Sequence, residues 1–178
     1  MTNTADTVRI SMWSGPRNIS TAMMRSFSSR PEYRVVDEPF YAYYLARTGL
    51  PHPMHEDVIA SQSTDWRVVA DELNASLPDG SSLYIKHMTQ HMLEEVDVGV
   101  FRAHANVFLI RDPKLVIASY AAKWDRISTD DIGIKRQTEI FEEIRKLTGS
   151  PPPVVEAEDI LKNPEAALKK LCATLDLE

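Results

Sequence analysis

The chain of 178 residues has one cysteine, Cys172, which excludes an intrachain disulfide and any cysteine-based zinc cluster. It also lacks any apolar run approaching the roughly 18 residues that span a bilayer. Its first residues, MTNTADTVRISMW, have no basic stretch followed by a long apolar one. The expectation is a cytoplasmic protein with no membrane partner and a reduced Cys172. Internal repeats and low-complexity segments are missing too, and the only biased run, Pro151 to Pro153, reads as a stiff connector. Basic residues are the scarcer charge, 20 Lys and Arg against 26 Asp and Glu, for a formal net charge of −6. That balance argues against a nucleic-acid partner. It leaves a small anionic ligand open, because a phosphate pocket needs only a few well-placed cations.

What is present is ordinary globular composition, 43% hydrophobic and 26% charged. The length suits one domain over residues 1–178, burying roughly 70% of its unfolded surface. Short β-rich segments alternate with longer helical ones. Strands are expected at 8–13, 34–37, 83–86, 106–110 and 154–156, the fourth (NVFLI) apolar throughout, as befits a strand covered on both faces. Helices are expected at 20–28, 40–47, 64–77 with Asp65 in its first turn, 113–124, 131–148 and 164–175. The 64–77 helix would close in a Pro78-Asp79-Gly80 turn, and the last helix would start from Asn163 as cap. This alternation predicts a three-layer α/β/α domain with a mostly parallel sheet of about five strands, its ligand at the strands' carboxyl ends.

Two strand ends carry the chemistry. The first runs through Ser14-Gly15-Pro16-Arg17-Asn18-Ile19-Ser20-Thr21 straight into a helix, where free backbone N–H groups and the helix dipole favour an anion. It is not a Walker A loop, since Ile19 and Ser20 occupy the places of its Gly and Lys. The cation is instead Arg17, whose fork can grip two oxygens. The alternative is a solvated Arg17, with Ser20 or Thr21 capping the helix. The fourth strand ends in Arg111-Asp112-Pro113, with Ser119 and Tyr120 two turns along the next helix; a cation and a hydroxyl there can hold a second phosphate. Alternatively, Arg111 pairs with Asp112 or another carboxylate while Ser119 bonds back to the Leu115 carbonyl.

SGPRNISTAMMRSF followed about ninety residues later by VFLIRDPKLVIASY resembles the sulfotransferase family that uses 3′-phosphoadenosine 5′-phosphosulfate (PAPS), in particular its bacterial-type members with a P-R-x-x-[ST]-[ST] loop. The resemblance implies a P-loop NTPase-like fold and no metal. It assigns Pro16, Arg17, Asn18, Ile19, Ser20 and Thr21 to the 5′-phosphosulfate, and Arg111 and Ser119 to the 3′-phosphate. Many members have Gly where Ile19 stands. The family also carries a closing segment beyond the last helix, so this chain is expected to be short at its C-terminus.

Sulfuryl transfer needs a base for the acceptor's proton and donors for the leaving phosphate. Arg17 suits the second task. Glu38, at the end of the second strand, is the first candidate for the base and resembles the base of carbohydrate sulfotransferases; the competing reading is a helix cap. Asp37, one residue earlier, should face the other way. The third strand ends in Lys86-His87-Met88-Thr89-Gln90-His91, where cytosolic animal sulfotransferases have a Lys and a His in different spacing. Lys86 or His87 would touch the bridging oxygen and His91 the acceptor, or His91 is merely structural. Tyr41, Tyr43, Tyr44, His52, His55 and Trp66 would form the acceptor side, although aromatics at such spacing are more often core packing. A nucleoside-triphosphate-dependent phosphotransferase and an idle nucleotide-binding module remain alternatives. The acceptor is an unidentified small molecule or carbohydrate, and the oligomeric state is open, a dimer included.

Overall fold

A computed structural model describes residues 7–77, 80–121 and 132–177. Strand β1 (Arg9–Ser14) leads through loop 15–19 into α1 (Ser20–Ser28), and β2 (Tyr33–Asp37) is followed by α2 (Tyr41–Thr48), α3 (His55–Ser61) and α4 (Trp66–Asn74). Strand β3 (Ser82–Met88) runs into two 3₁₀ turns, Thr89–His91 and Val98–Phe101. Next come β4 (Ala105–Ile110), α5 (Pro113–Ala121), α6 (Ile134–Thr148), β5 (Val154–Glu156), α7 (Ala157–Lys162) and α8 (Pro164–Thr174).

The five strands form one sheet in the order β2-β3-β1-β4-β5, every neighbouring pair parallel, as the alternation predicts. The period of two sorts side chains to two faces. Ile10 and Met12 of β1 pack with Met23 and Phe27 of α1 and Leu171 of α8. Trp13 points the other way, among Val69 and Leu73 of α4 and Ile140 and Ile144 of α6. Phe101 and Phe108 on that second face are fully buried, worth on the order of 2–3 kcal/mol each.

The second face also holds a buried polar chain. Ser11 Oγ is hydrogen-bonded to His104 Nδ1 at 2.8 Å and His87 Nε2 at 3.2 Å, and His104 Nε2 to Asn74 Oδ1 at 3.1 Å. Trp13 Nε1 donates to Asn106 Oδ1 at 2.8 Å, so the indole is buried with its donor satisfied.

The strand order fixes where a ligand can sit. From β1 the chain leaves toward β2 on one side of the sheet, and from β4 toward β5 on the other. These two neighbours, with Ser14 beside Leu109, therefore form a topological switch point whose crevice opens at their carboxyl ends. Loops 15–19 and 111–112 flank it.

Local signals explain some element ends. Asp65 accepts from Arg67 N at 2.9 Å and starts α4, and Asn163 accepts from Ala166 N at 3.1 Å and starts α8. Helix α4 stops at Asn74, short of the expected Leu77, and Pro78-Asp79 of the expected turn lies outside the described residues. So do residues 122–131, which include the expected end of α5 and the expected start of α6 at Asp131. Helix α6 is described from Ile134, after Gly133 at φ +65°. Among the described residues no helix is long and apolar enough to cross a membrane.

Candidate functional site

Loop 15–19 is held from three sides. A Cβ on Gly15 would stand 2.7 Å from the Ile132 carbonyl oxygen, so only glycine lets this loop pass under the turn before α6. Asn18 Nδ2 donates to the Leu109 carbonyl at 3.0 Å, while its Oδ1 accepts from Ile19 N at 2.9 Å. Gln137 of α6 donates from Nε2 to the carbonyls of Trp13 and Leu109, 3.0 Å each. The β1 and β4 ends are thereby tied together beneath the crevice.

Helix α1 opens into that crevice without a side-chain cap: its N-cap is Ile19, and no acidic residue lies in its first turn. The first intrahelical bond runs from Met23 N to Ile19 O at 3.0 Å, so the N–H groups of Ser20, Thr21 and Ala22 have no intrahelical acceptor. The expected alternative, Ser20 or Thr21 as cap, is therefore corrected. Ile19 itself packs against the α1-side core, leaving the backbone in the role that a glycine loop would play.

Arg17 takes a left-handed φ of +55° and donates from Nε to Ser119 Oγ at 2.9 Å. Arg111 donates from Nη1 to the Arg17 carbonyl at 2.8 Å and from Nε to Glu158 Oε1 at 3.2 Å. The two motifs thus form one connected site. Arg111 finds its carboxylate partner on α7, not in Asp112, which accepts from Lys114 N at 2.8 Å at the start of α5. Glu158 was not among the expected residues; its signal was its place just past a fifth strand end beside the crevice.

On the other flank, Lys86 is almost fully buried and its ammonium lies 2.7 Å from Asp37 Oδ1, 2.8 Å from Glu38 Oε1 and 3.4 Å from Thr21 Oγ1. The expectation that Asp37 faces away from Glu38 is corrected. Glu38 has φ +47°, which ends the strand alternation and turns both carboxylates onto one ammonium. Nor is Glu38 a helix cap, since α2 starts from Phe40 without a side-chain bond. Burial alone would lower the Lys86 pKa, but the hydrogen bonds it donates to Asp37 and Glu38 outweigh it and raise it.

His91 stacks on Tyr41 (centroids 4.6 Å apart, planes 4° apart) and on Tyr44 (4.8 Å, 28°). Its Nδ1 is buried without a hydrogen-bond partner among the described residues, 4.0 Å from Glu38 Oε2. Burial, with His52 and Lys86 adding to it, lowers its pKa to about 3, so the ring is neutral. Tyr41 Oη is hydrogen-bonded to His52 Nδ1 at 2.9 Å, extending the aromatic wall.

Other expected residues lie away from the reacting centre. His87 alternates to the opposite face from Lys86, stacked 4.1 Å from Trp13, where burial and then His104 push its pKa well down; its assignment to the reacting centre is corrected. Tyr43 and Trp66 pack in or against the same core. Pro16 is buried at the base of the loop, and His55 Nδ1 is hydrogen-bonded to the Leu50 carbonyl at 2.9 Å. Among the described residues no group of three or more His, Cys, Asp and Glu is placed to hold a metal.

A family model described as a sulfotransferase domain matches residues 8–178. The chain is 27% and 29% identical, over 168 residues, to branched-chain-amino-acid aminotransferase-like proteins 2 and 1 of Arabidopsis thaliana. The match covers 94% of this chain and 30% of each relative, so the chain spans under a third of the curated relatives' length. A sulfotransferase of Alicyclobacillus acidocaldarius superposes with a TM-score of 0.59 at 10% identity, over 94% of this chain and 81% of that one. The shikimate kinase of Bacteroides thetaiotaomicron gives 0.55 at 15% identity (96% and 99%), and the sulfotransferase domain of the curacin biosynthetic pathway 0.50 at 14% (97% and 75%). These likenesses show a shared α/β, P-loop-like fold.

Proposed function

Since the chain belongs to the sulfotransferase-domain family, we propose that it transfers a sulfuryl group from PAPS to a hydroxyl or amine of a small acceptor. The observation that carries this reading is the meeting of the two motifs at the switch point, Arg111 on the Arg17 carbonyl and Arg17 on Ser119. An uncapped helix N-terminus and two guanidinium groups suit a ligand with phosphates at both ends of a nucleoside.

In this reading the N–H groups of Ser20, Thr21 and Ala22, with Arg17, receive the 5′-phosphosulfate, and Arg111 with Ser119 receives the 3′-phosphate. Lys86 spans the distance between the two halves of the reaction: it touches Thr21 of the cradle and Glu38 of the acceptor side. Its charge stabilises negative charge building on the leaving phosphate. Glu38 accepts the acceptor's proton through Oε2, the oxygen that Lys86 does not hold. Partners would be small molecules in the cytoplasm, with neither nucleic acid nor membrane involved.

Isothermal titration with adenosine 3′,5′-bisphosphate, run beside magnesium-ATP, tests the reading. Binding of the bisphosphate alone, abolished in the Arg17→Ala/Arg111→Ala double variant, is the expected result. Binding of magnesium-ATP without the bisphosphate would replace the sulfotransferase reading with a phosphotransferase one.

A further inference from the structure

We infer that Arg17 couples the two ends of the donor site, so that a phosphate held at the 3′ end strengthens the grip at the 5′ end, and the reverse. The inference rests on the PAPS reading above and deepens it, by making two contacts which that reading treats separately depend on one residue.

Arg17 belongs to the loop that would receive the 5′-phosphosulfate, yet it is held by the residues that would receive the 3′-phosphate. Its carbonyl accepts from Arg111 Nη1 at 2.8 Å, and its Nε donates to Ser119 Oγ at 2.9 Å, across 94 and 102 positions of sequence. Arg17 is a non-glycine residue at φ +55°, a left-handed conformation that persists only where the surroundings impose it. Main chain and side chain of one strained residue are thus both fixed from the end of β4 and from α5. Arg17 is exposed and both bonds lie at the surface, so an anion reaches them without a cavity having to open.

A guanidinium has five N–H groups. With Nε given to Ser119, the four on Nη1 and Nη2 of Arg17 have no partner among the described residues and remain for the 5′ end. Ser119 Oγ accepts from Arg17, which leaves its own proton to donate to a phosphate oxygen at the 3′ end. A hydroxyl that accepts from a cation is a better donor for it, and the gain runs both ways along Arg17, Ser119 and the phosphate. Arg111 adds a second route, because a phosphate on its Nη2 immobilises the guanidinium whose Nη1 holds the Arg17 carbonyl. Whichever end fills first orders Arg17, and the other end then binds a residue already ordered. Repulsion between the two phosphates is present in the free ligand too and largely cancels.

Calorimetric titration with adenosine 3′,5′-bisphosphate tests the coupling in the parent chain, Arg17→Lys, Ser119→Ala and the double variant, with thermal midpoints to check that each is folded. Arg17→Lys keeps the charge, but its single ammonium cannot serve Ser119 and the 5′ end together. Independent ends predict that the two losses in affinity multiply. Coupled ends predict a double variant whose loss is about fivefold or more smaller than that product. A ligand with nothing at its 3′ end, 3′-deoxyadenosine 5′-monophosphate, gives a second readout by displacement of the bisphosphate. It should bind about threefold or more weakly to Ser119→Ala, although it carries no group for residue 119, and Ser119→Thr should restore the parent affinity. Losses that multiply to within about twofold overturn the inference, as does a 3′-deoxy nucleotide bound equally by the parent chain and Ser119→Ala; both leave the donor reading standing. Absence of bisphosphate binding to the parent chain overturns the donor reading, and the inference with it.

Discussion

Arg111 donates from Nη1 to the backbone carbonyl of Arg17 at 2.8 Å, joining residues 94 positions apart. One guanidinium thereby sets the height of the phosphate loop and offers its remaining N–H groups to a ligand. Arg111→Ala should weaken adenosine 3′,5′-bisphosphate binding about thirtyfold or more, since it removes both a charge-assisted contact and a loop anchor. Arg111→Lys should recover little, because a single ammonium cannot serve the Arg17 carbonyl, Glu158 and a phosphate together. Full recovery by lysine in calorimetric titration would mean that only the charge matters.

Lys86 sits between two carboxylates, its own side chain 5% exposed while those of Asp37 and Glu38 are 51% and 26% exposed. Lys86→Met would leave two like charges facing each other. Removing one member of a fully buried pair costs about 3–5 kcal/mol. Solvent at the carboxylates reduces the expected loss here to about 1–2 kcal/mol, read as a lower urea midpoint. Asp37→Asn, at the exposed end, should cost under about 1 kcal/mol. A Lys86→Met protein as stable as its parent would show that the ammonium contributes nothing net to folding.

Acid should begin to destabilise the fold just below neutral pH. Burial lowers the pKa of His87, of His91 to about 3 and of His104 to about 4, all from 6.5. Below pH 6.5 the unfolded chain binds protons that the folded one refuses. The stability these neutral rings carry is therefore complete above about pH 6.5 and declines as pH falls from there. The slope approaches about 1.4 kcal/mol per pH unit for each histidine. Urea midpoints at pH 7.5, 6 and 5 should fall in that order, and His104→Gln should flatten the trend. A stability flat across this interval would mean that the histidines are protonated in the folded state.

Gly15→Ala would drive a methyl to 2.7 Å from the Ile132 carbonyl oxygen, a backbone atom that cannot swing aside. The expected cost is about 1–3 kcal/mol with weakened bisphosphate binding. Gly99→Ala is a suitable comparison, because its Cβ would meet the Asp97 carboxylate oxygen at 2.8 Å, the end of a side chain able to turn. A thermal midpoint lowered equally by both would remove the special role of Gly15.

The sheet was legible because parallel strands buried on both faces are written as apolar runs, and NVFLI gives β4 outright. Helices with an apolar stripe or a cap were legible for the same kind of reason, as with Asp65 and Asn163. Helix α3 was not, since none of its residues is buried and no periodicity marks it; α7, six residues long, is too short to show one. In the site, loop 15–19 and Arg111 were legible by their positions at strand ends. Alternation alone would have placed His87 opposite Lys86. Alternation failed for Asp37 because a non-glycine residue at positive φ, Glu38, follows it, and nothing in the sequence marks that backbone turn. Glu158 was hidden by distance in sequence, 47 residues from Arg111.

The Leu109 carbonyl accepts from Asn18 and from Gln137, 3.0 Å each, so both lone pairs of one oxygen are occupied, one by the phosphate loop and the other by α6. That oxygen is an anchor shared by two parts of the fold. A ¹³C label placed on this single carbonyl would respond in its vibrational frequency to a shift of either, and would report seating of the loop in the absence of any turnover.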